Sequence, residues 1–279
     1  MVLKFTKMHA LGNDFVVIDG VRQNFSLSAQ DIRLIADRHF GVGCDQILIA
    51  ETFSGEDADF RFRIMNADGS EVAQCGNGAR CFAKFVLDQG LTDKRRITVA
   101  TGNGLLELAV LEDGKVKVNM GVPNFEPEYV PFKAMVKERS YALVIDERTL
   151  DVAVLSIGNP HAVHVVPHIE DAPVADIGPQ LERHPRFPER VNAGFMEVVD
   201  ESHIKLRVFE RGAGETLACG SGACAAVAAG RQWGLLAAQV TVELPGGRLR
   251  VEWHGEGSPV YLIGPATTVF KGTIPFVND

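Results

Sequence analysis

Cys75-Gly76-Asn77-Gly78-Ala79 and Cys219-Gly220-Ser221-Gly222-Ala223 are the same phrase written twice, each followed by an apolar stretch with helical spacing. Laid over each other at an offset of 144, residues 63–80 and 207–224 agree at six of eighteen positions: Arg63/Arg207, Glu71/Glu215, Cys75/Cys219, Gly76/Gly220, Gly78/Gly222 and Ala79/Ala223. Ordinary residue usage gives about one match in such a window. The likeness continues outward. At an offset of 143, Ile97-Thr98-Val99 overlies Val240-Thr241-Val242, Leu106 overlies Leu249, and Gly104, Gly114 and Gly121 overlie Gly247, Gly257 and Gly264. Upstream, at 146, Gly12-Asn13 overlies Gly158-Asn159 and Gln46 overlies Asn192. Loop insertions and deletions account for the drift. Two copies at so long a period mean an internal duplication into two similar domains, not a solenoid.

The chain of 279 residues has room for two such domains, each with its own core. At 46% apolar and 23% charged residues it has the composition of a globular protein. Its net charge of −8 and lack of basic runs longer than three residues argue against a nucleic-acid partner. The opening Met1-Val2-Leu3-Lys4-Phe5-Thr6-Lys7 has no apolar core of a signal peptide, and no apolar run is long enough to span a membrane. Five cysteines leave at least one unpaired and form no Cys-x-x-Cys, which fits a reducing cytoplasm.

Each half repeats one order: a strand and Gly-Asn turn, the cysteine motif, a helix, then strands punctuated by glycine. Ser28 to His39 reads as a helix, with Ser28 as N-cap and Asp31 three residues on. Phe60 to Met65 alternates as a half-buried strand does. Ala79, Phe82, Ala83, Val86 and Leu87 mark one face of a helix stopped by Gly90. Ala223 to Gly230 is apolar all round, as a helix enclosed by its domain must be, and Gly234 ends it. Residues 97–120 and 240–263 read as strands turning at Gly102-Asn103-Gly104, Asp113-Gly114, Gly246-Gly247 and Gly255-Glu256-Gly257. Pro123, Pro127 and Pro131 mark a linker between the halves. The mixture is α+β.

Each cysteine immediately precedes a Gly-x-Gly that begins a helix. The glycines let backbone approach a ligand, and the first turn offers unpaired N–H groups. Such an end attracts a carboxylate and lowers the pKa of an adjacent thiol. If the halves meet about a pseudo-two-fold axis, the thiols flank one carbon in the cleft between the domains. A thiolate on one face removes a proton while a thiol on the other delivers one, inverting the centre without a cofactor. The alternative is a pair of structural cysteines. The repeat separates the cases: Cys81 overlies Ala225, Cys224 overlies Arg80, and Cys44 has no cysteine counterpart, so only Cys75 and Cys219 pair.

The copies also differ. Asn66 overlies Glu210, and Ala67 overlies Arg211, so that charge stands in one half only. A lone Arg suits a second, distal carboxylate on an asymmetric ligand, or equally a surface ion pair. Asn13, Gln46, Asn159 and Asn192 are turn-type amides that either contact a ligand or cap loops, and residue type favours capping. His161, after Gly158-Asn159-Pro160, can orient an acid–base group or be structural. The histidines show no metal-ligand spacing, so no metal site is expected.

The stretches Met8-His9-Ala10-Leu11-Gly12-Asn13-Asp14-Phe15, Gly41-Val42-Gly43-Cys44-Asp45-Gln46, Met65-Asn66-Ala67-Asp68-Gly69-Ser70 running to Cys75 and on to Cys81, Gly158-Asn159-Pro160-His161, and Glu210-Arg211-Gly212-Ala213-Gly214-Glu215-Thr216 running to Cys224 together resemble the diaminopimelate epimerase family. The motifs cover nearly the whole chain. Two departures are small: Ala10 where the family usually has Gly, and Ser221 where Thr is commoner. The resemblance implies two pseudo-symmetric domains, each a mostly antiparallel sheet wrapped around a central helix. Their expected extents are 1–121, with 265–279 returning to it, and 122–264. It implies cofactor-independent epimerisation of LL-2,6-diaminopimelate to the meso isomer, in lysine and peptidoglycan precursor biosynthesis. Cys75 and Cys219 would be the acid–base pair, supported by His161 and Glu210. Gly76, Asn77, Gly220 and Ser221 would hold the reacting carboxylate. Asn13, Gln46, Asn66, Asn159, Asn192, Glu210 and Arg211 would contact substrate, which reverses the capping preference for the amides. A cytoplasmic homodimer is also implied. The rival readings are a proline or hydroxyproline racemase, a thiol–disulfide redox protein, and a non-catalytic amino-acid binder.

Overall fold

The computed structural model describes residues 2–72 and 75–275. The chain divides into two units, residues 1–118 with 263–279, and residues 119–262. Residues 276–279 of the expected C-terminal return lie outside the described part.

The first unit runs β1 (Val2–Ala10), β2 (Asn13–Asp19), α1 (Ala29–Ala36), β3 (Gln46–Glu51), β4 (Phe60–Asn66), β5 (Glu71–Val72), α2 (Gly76–Asp88), β6 (Arg96–Thr101), β7 (Gly104–Val110) and β8 (Val116–Asn119). The second runs β9 (Tyr141–Ile145), β10 (Arg148–Ser156), β11 (Pro160–Val165), α3 (Val174–Glu182), β12 (Asn192–Asp200), β13 (His203–Glu210), β14 (Gly214–Thr216), α4 (Gly220–Gln232), β15 (Gln239–Leu244), β16 (Gly247–Trp253) and β17 (Val260–Gly264). β18 (Thr267–Pro275) then pairs antiparallel with β1 in the first unit.

Strand pairing is repeated between the units. β1–β2, β3–β4, β4–β5 and β6–β7 are antiparallel, with parallel β2–β3 and β4–β6 between them. β10–β11, β12–β13, β13–β14 and β15–β16 are antiparallel, with parallel β11–β12 and β13–β15. Registers follow the sequence repeat. Met65 faces Glu71 as Phe209 faces Glu215, and Phe15 faces Gln46 as His161 faces Asn192. The strand flanking β10 is the preceding hairpin arm β9, whereas the one flanking β1 is the chain's last strand.

The parallel pair β2 and β3 is buried on both faces through its middle, which is why Ile47-Leu48-Ile49-Ala50 is one unbroken apolar run. Val16, Ile18, Ile47 and Ile49 pack with Ile32 and Ile35 of α1. Phe15 and Leu48, on the opposite face, lie under the first turn of α2. In the second unit α3 packs Ile177 and Leu181 against Val152, Val154, Ala193 and Phe195. Ala223 to Gly230 of α4 is buried all round, as its composition requires.

Local signals explain the boundaries. Ser28 and Asp31 form the capping box of α1. That helix stops at Ala36, short of the expected His39, because the Asp37 carboxylate accepts from the backbone N–H groups of His39 and Phe40, both at 2.7 Å. Gly90 and Gly234 have positive φ just past α2 and α4, and the Leu91 and Leu235 N–H groups reach back to the Val86 and Gly230 carbonyls. The proline-marked stretch is not a bare linker. Pro127–Tyr129 is a 3₁₀ turn, and Val130 and Phe132 join the core of the second unit.

Candidate active site

Each motif cysteine is the N-cap of its helix. The Gly78 N–H donates to Cys75 Sγ at 3.3 Å, and the Gly222 N–H donates to Cys219 Sγ at 3.4 Å. Both cysteines have extended backbone, with φ,ψ of −151°, 109° and −111°, 107°. A sulfur thus takes the place that a Ser or Asp oxygen usually fills, where the helix end favours negative charge. The second glycine of each motif keeps the helix end on its sheet. A Cβ at Gly222 would sit 3.0 Å from Val208 Cγ2 and 3.2 Å from Cys219 Sγ.

Two of the repeated identities form a repeated ion pair. Arg63 grips Glu71 at 3.0 and 3.1 Å, and Arg207 grips Glu215 at 2.6 and 3.0 Å, each bridging the strand pair that leads into a cysteine motif. Such forked pairs fix geometry as well as adding attraction.

In the first unit the amides form two bonded pairs. Asn77 Nδ2 donates to Asn13 Oδ1 at 3.2 Å, and Gln46 Nε2 donates to Asn66 Oδ1 at 2.9 Å across β3 and β4. Asn66 in turn donates to Ser70. Gln46 Oε1 is buried without a hydrogen-bond partner among the described residues. A buried acceptor left open marks a place where a donor is missing.

In the second unit the side chains form a continuous series. His161 Nε2 lies 3.0 Å from Asn159 Oδ1, Asn159 Nδ2 donates to Ser221 Oγ at 3.3 Å, and Ser221 Oγ lies 3.7 Å from Cys219 Sγ. Burial, helped by the nearby Arg211 charge, lowers the His161 pKa to about 3, so its ring is neutral near pH 7. Asn192 is buried and donates to the Pro160 carbonyl at 2.9 Å, while its Oδ1 accepts the Arg211 N–H at 2.9 Å. Here the amide does serve backbone, fixing the turn that carries Arg211. The Arg211 guanidinium reaches the Glu189 carbonyl at 3.2 Å and its side chain is exposed. Glu210 accepts from Thr216 Oγ1.

The helix end was expected to lower a thiol pKa; at Cys219 the opposite dominates. Burial first, then the Glu210 charge and a hydrogen bond to Glu210, push this thiol well above its ordinary value, against the Gly222 N–H and Ser221. Only 3% of Cys219 is exposed, so desolvation of the thiolate outweighs the dipole. Burial thus favours the neutral thiol at Cys219. Cys75 is half-buried. Cys44, Cys81 and Cys224 are buried, and burial raises Cys44 to about 11.

Sequence reasoning passed over several residues that hold these groups. Glu182 of α3, buried, accepts the Gly212 N–H at 2.8 Å beneath the Arg211 turn. Asp45 accepts from Asn13 at 2.8 Å, and the fully buried Arg80 donates to Asn77 at 2.8 Å. Asp45 and Arg80 stand inside quoted motifs, but neither charge is repeated in the other half, where Val191 and Cys224 overlie them. Among the described residues, no three His, Cys, Asp or Glu side chains are grouped to hold a metal ion, and no helix is long and apolar enough to cross a membrane.

Comparison with known proteins places this geometry. The diaminopimelate epimerase of Nitrosospira multiformis is 57% identical over 274 residues, covering 98% of this chain and 99% of that one. The diaminopimelate epimerase of Nitrosomonas europaea is 56% identical over the same shares. Among solved structures, a phenazine biosynthesis protein of the PhzF family from Bacillus anthracis matches with a TM-score of 0.69 at 19% identity, covering 99% of this chain and all of that one. A hydroxyproline epimerase from Agrobacterium vitis matches at 0.67 and 14% identity, covering 98% and 92%. These likenesses establish a shared fold. The sequence profile described as diaminopimelate epimerase matches residues 5–126 and 153–269. The chain belongs to the diaminopimelate epimerase family.

Proposed function

We propose that Cys75 and Cys219 are the two bases of a cofactor-independent epimerase that interconverts LL- and meso-2,6-diaminopimelate. The chain is an isomerase of this family by its relatives. The observation that carries the residue assignment is the repeated N-cap: each thiol sits on the first turn of its helix with an N–H on its sulfur. A thiolate takes the α-hydrogen as a proton, leaving a carbanion conjugated with the carboxylate. The opposing thiol then gives its proton to the other face, so one thiolate and one thiol exchange roles and no net proton is gained. The upward shift of the Cys219 pKa suits the proton-donating member of the pair.

Gly76, Asn77, Gly220 and Ser221 would hold the reacting carboxylate, whose developing dianion the helix N–H groups stabilise. Asn13, Gln46, Asn66, Asn159, Asn192, Glu210 and Arg211 would contact the rest of the substrate. The open Gln46 Oε1 supports this, because an ammonium N–H is the kind of donor it lacks. Arg211 and Glu210, present in one half only, suit a second amino-acid head group. His161 and Glu210 would support the acid–base step, His161 through Asn159 and Ser221. We further propose a cytoplasmic role in lysine and peptidoglycan precursor formation, and a homodimer. The exposed Val269 and Phe270 on β18 support self-association.

The test is conversion of LL-diaminopimelate to the meso isomer without pyridoxal phosphate, beside L-proline and trans-4-hydroxy-L-proline. Epimerisation of diaminopimelate alone is expected. Turnover of either cyclic amino acid instead would reassign the substrate.

A further inference from the structure

We propose that Arg80 and Asp45 are positioning residues that lock the Asn77 and Asn13 side-chain amides in one orientation, through a directed chain of four side chains. The proposal rests on reading Asn13 and Asn77 as substrate contacts. Arg80 Nη2 donates to Asn77 Oδ1 at 2.8 Å, Asn77 Nδ2 donates to Asn13 Oδ1 at 3.2 Å, and Asn13 Nδ2 donates to Asp45 Oδ2 at 2.8 Å. All three bonds run the same way.

An amide can usually turn over, since its oxygen and nitrogen have nearly the same shape. Here the ends forbid it. A guanidinium only donates, so Asn77 must present its oxygen to Arg80; a carboxylate only accepts, so Asn13 must present its nitrogen to Asp45. Turning either amide sets N–H against N–H at one end or oxygen against oxygen at the other. Bonds in such a chain also polarise one another.

Both ends are themselves held. Arg80 is wholly buried, with Nε on the Pro265 carbonyl at 3.2 Å and Nη1 on the Gly76 carbonyl at 3.4 Å. Asp45 Oδ2 also accepts the Asp14 N–H at 3.1 Å, and its Oδ1 accepts from Arg38 at 2.8 Å. The second unit has neither charge, because Cys224 and Val191 stand at those positions. There the donation runs the other way, from Asn159 to Ser221. The lock thus belongs to the first half alone. Its consequence is chemical: the Asn13 nitrogen keeps one hydrogen uncommitted among the described residues, aimed in a fixed direction. That edge of the site offers a donor, which takes a carboxylate oxygen and refuses an ammonium.

The test uses the full chain labelled with ¹⁵N-asparagine, without substrate. The Asn13 and Asn77 side-chain signals are assigned by Asn13→Ala and Asn77→Ala. Asp45→Asn puts a group that can also donate at the chain's end, at an exposed position. Side-chain amide hydrogen exchange is expected to quicken on the order of tenfold at both asparagines, although Asn77 does not touch Asp45. Arg38→Gln removes a neighbouring bond to Asp45 but not the chain, and should leave both exchange rates as in the wild type. With diaminopimelate, Asp45→Asn should raise KM on the order of tenfold while kcat falls far less. Unchanged Asn77 exchange in Asp45→Asn overturns the chain, as does an equal effect of Arg38→Gln. If the exchange results stand but the wild type does not epimerise diaminopimelate, the substrate reading fails and the lock survives.

Discussion

Gly222→Ala tests the coupling between helix packing and the second thiol. The added Cβ would lie 3.0 Å from Val208 Cγ2 and 3.2 Å from both Cβ and Sγ of Cys219. Val208 is buried in β13 and branched at Cβ, so it cannot rotate away. The first turn of α4 must lift by a few tenths of an ångström, lengthening the 3.4 Å bond from the Gly222 N–H to the sulfur. Overpacking of this kind costs about 1–3 kcal/mol, offset by up to ~1 kcal/mol from the better helix propensity of Ala. The net loss of roughly 1–2 kcal/mol lowers Tm by roughly 5 °C for a chain of this size. Gly78→Ala is the internal control. Its Cβ would meet the flexible end of Leu48 at 3.1 Å and Cys75 Cβ only at 3.6 Å, so its Tm should stay within about 2 °C of wild type. Calorimetric scans and kcat/KM of both variants measure the difference, with Gly222→Ala losing about tenfold more activity, the worth of one hydrogen bond. An equal or larger loss of stability in Gly78→Ala would refute the packing argument.

His161→Phe copies the residue at the equivalent position of the first half, Phe15, and should fold. Because the buried His161 titrates near pH 3 but near 6.5 when unfolded, only the unfolded chain takes up its proton as pH falls from 6.5. The wild type should therefore lose roughly 1.4 kcal/mol of stability per pH unit from this group between pH 6.5 and 5, and the variant should not. Thermal scans across that range compare the slopes; equal slopes contradict a buried neutral ring. For Cys219 the shift is upward, so its contribution is complete below about pH 9 and fades as pH rises beyond it. Cys219→Ser should remove that alkaline loss, and an unchanged alkaline limb in thermal scans would contradict it. Arg207→Met and Glu215→Gln, in a double-mutant cycle, should show coupling of about 0.5–1 kcal/mol that weakens in high salt.

The glycine turns, the two central helices and the capped start of α1 were legible because each depends on neighbours in sequence. The pairing of β18 with β1 was not legible in any residue pattern, since distant strands carry no local mark of their partner; only family resemblance supplied it. Helix α3 went unread; it carries Pro179 in its interior, where a proline disfavours helix. The repeat picked out Cys75 and Cys219 from five cysteines, but it is blind to what is not repeated. Asp45, Arg80 and Glu182 act on the site groups through bonds made in three dimensions, and nothing in their spacing announces it. Cys219 shows the other limit: the motif speaks for a helix dipole, whereas burial, which outweighs it, comes from the whole domain.

The central claim is that two thiols share one proton transfer, and deuterium reports it directly. Wild type and the variants Cys75→Ala and Cys219→Ala are incubated with LL-diaminopimelate in D2O, and α-deuterium is read by mass spectrometry alongside formation of the meso isomer. The account predicts deuterium in the meso product of the wild type and no meso product from either variant. Meso product formed by either single-cysteine variant would contradict the two-base assignment.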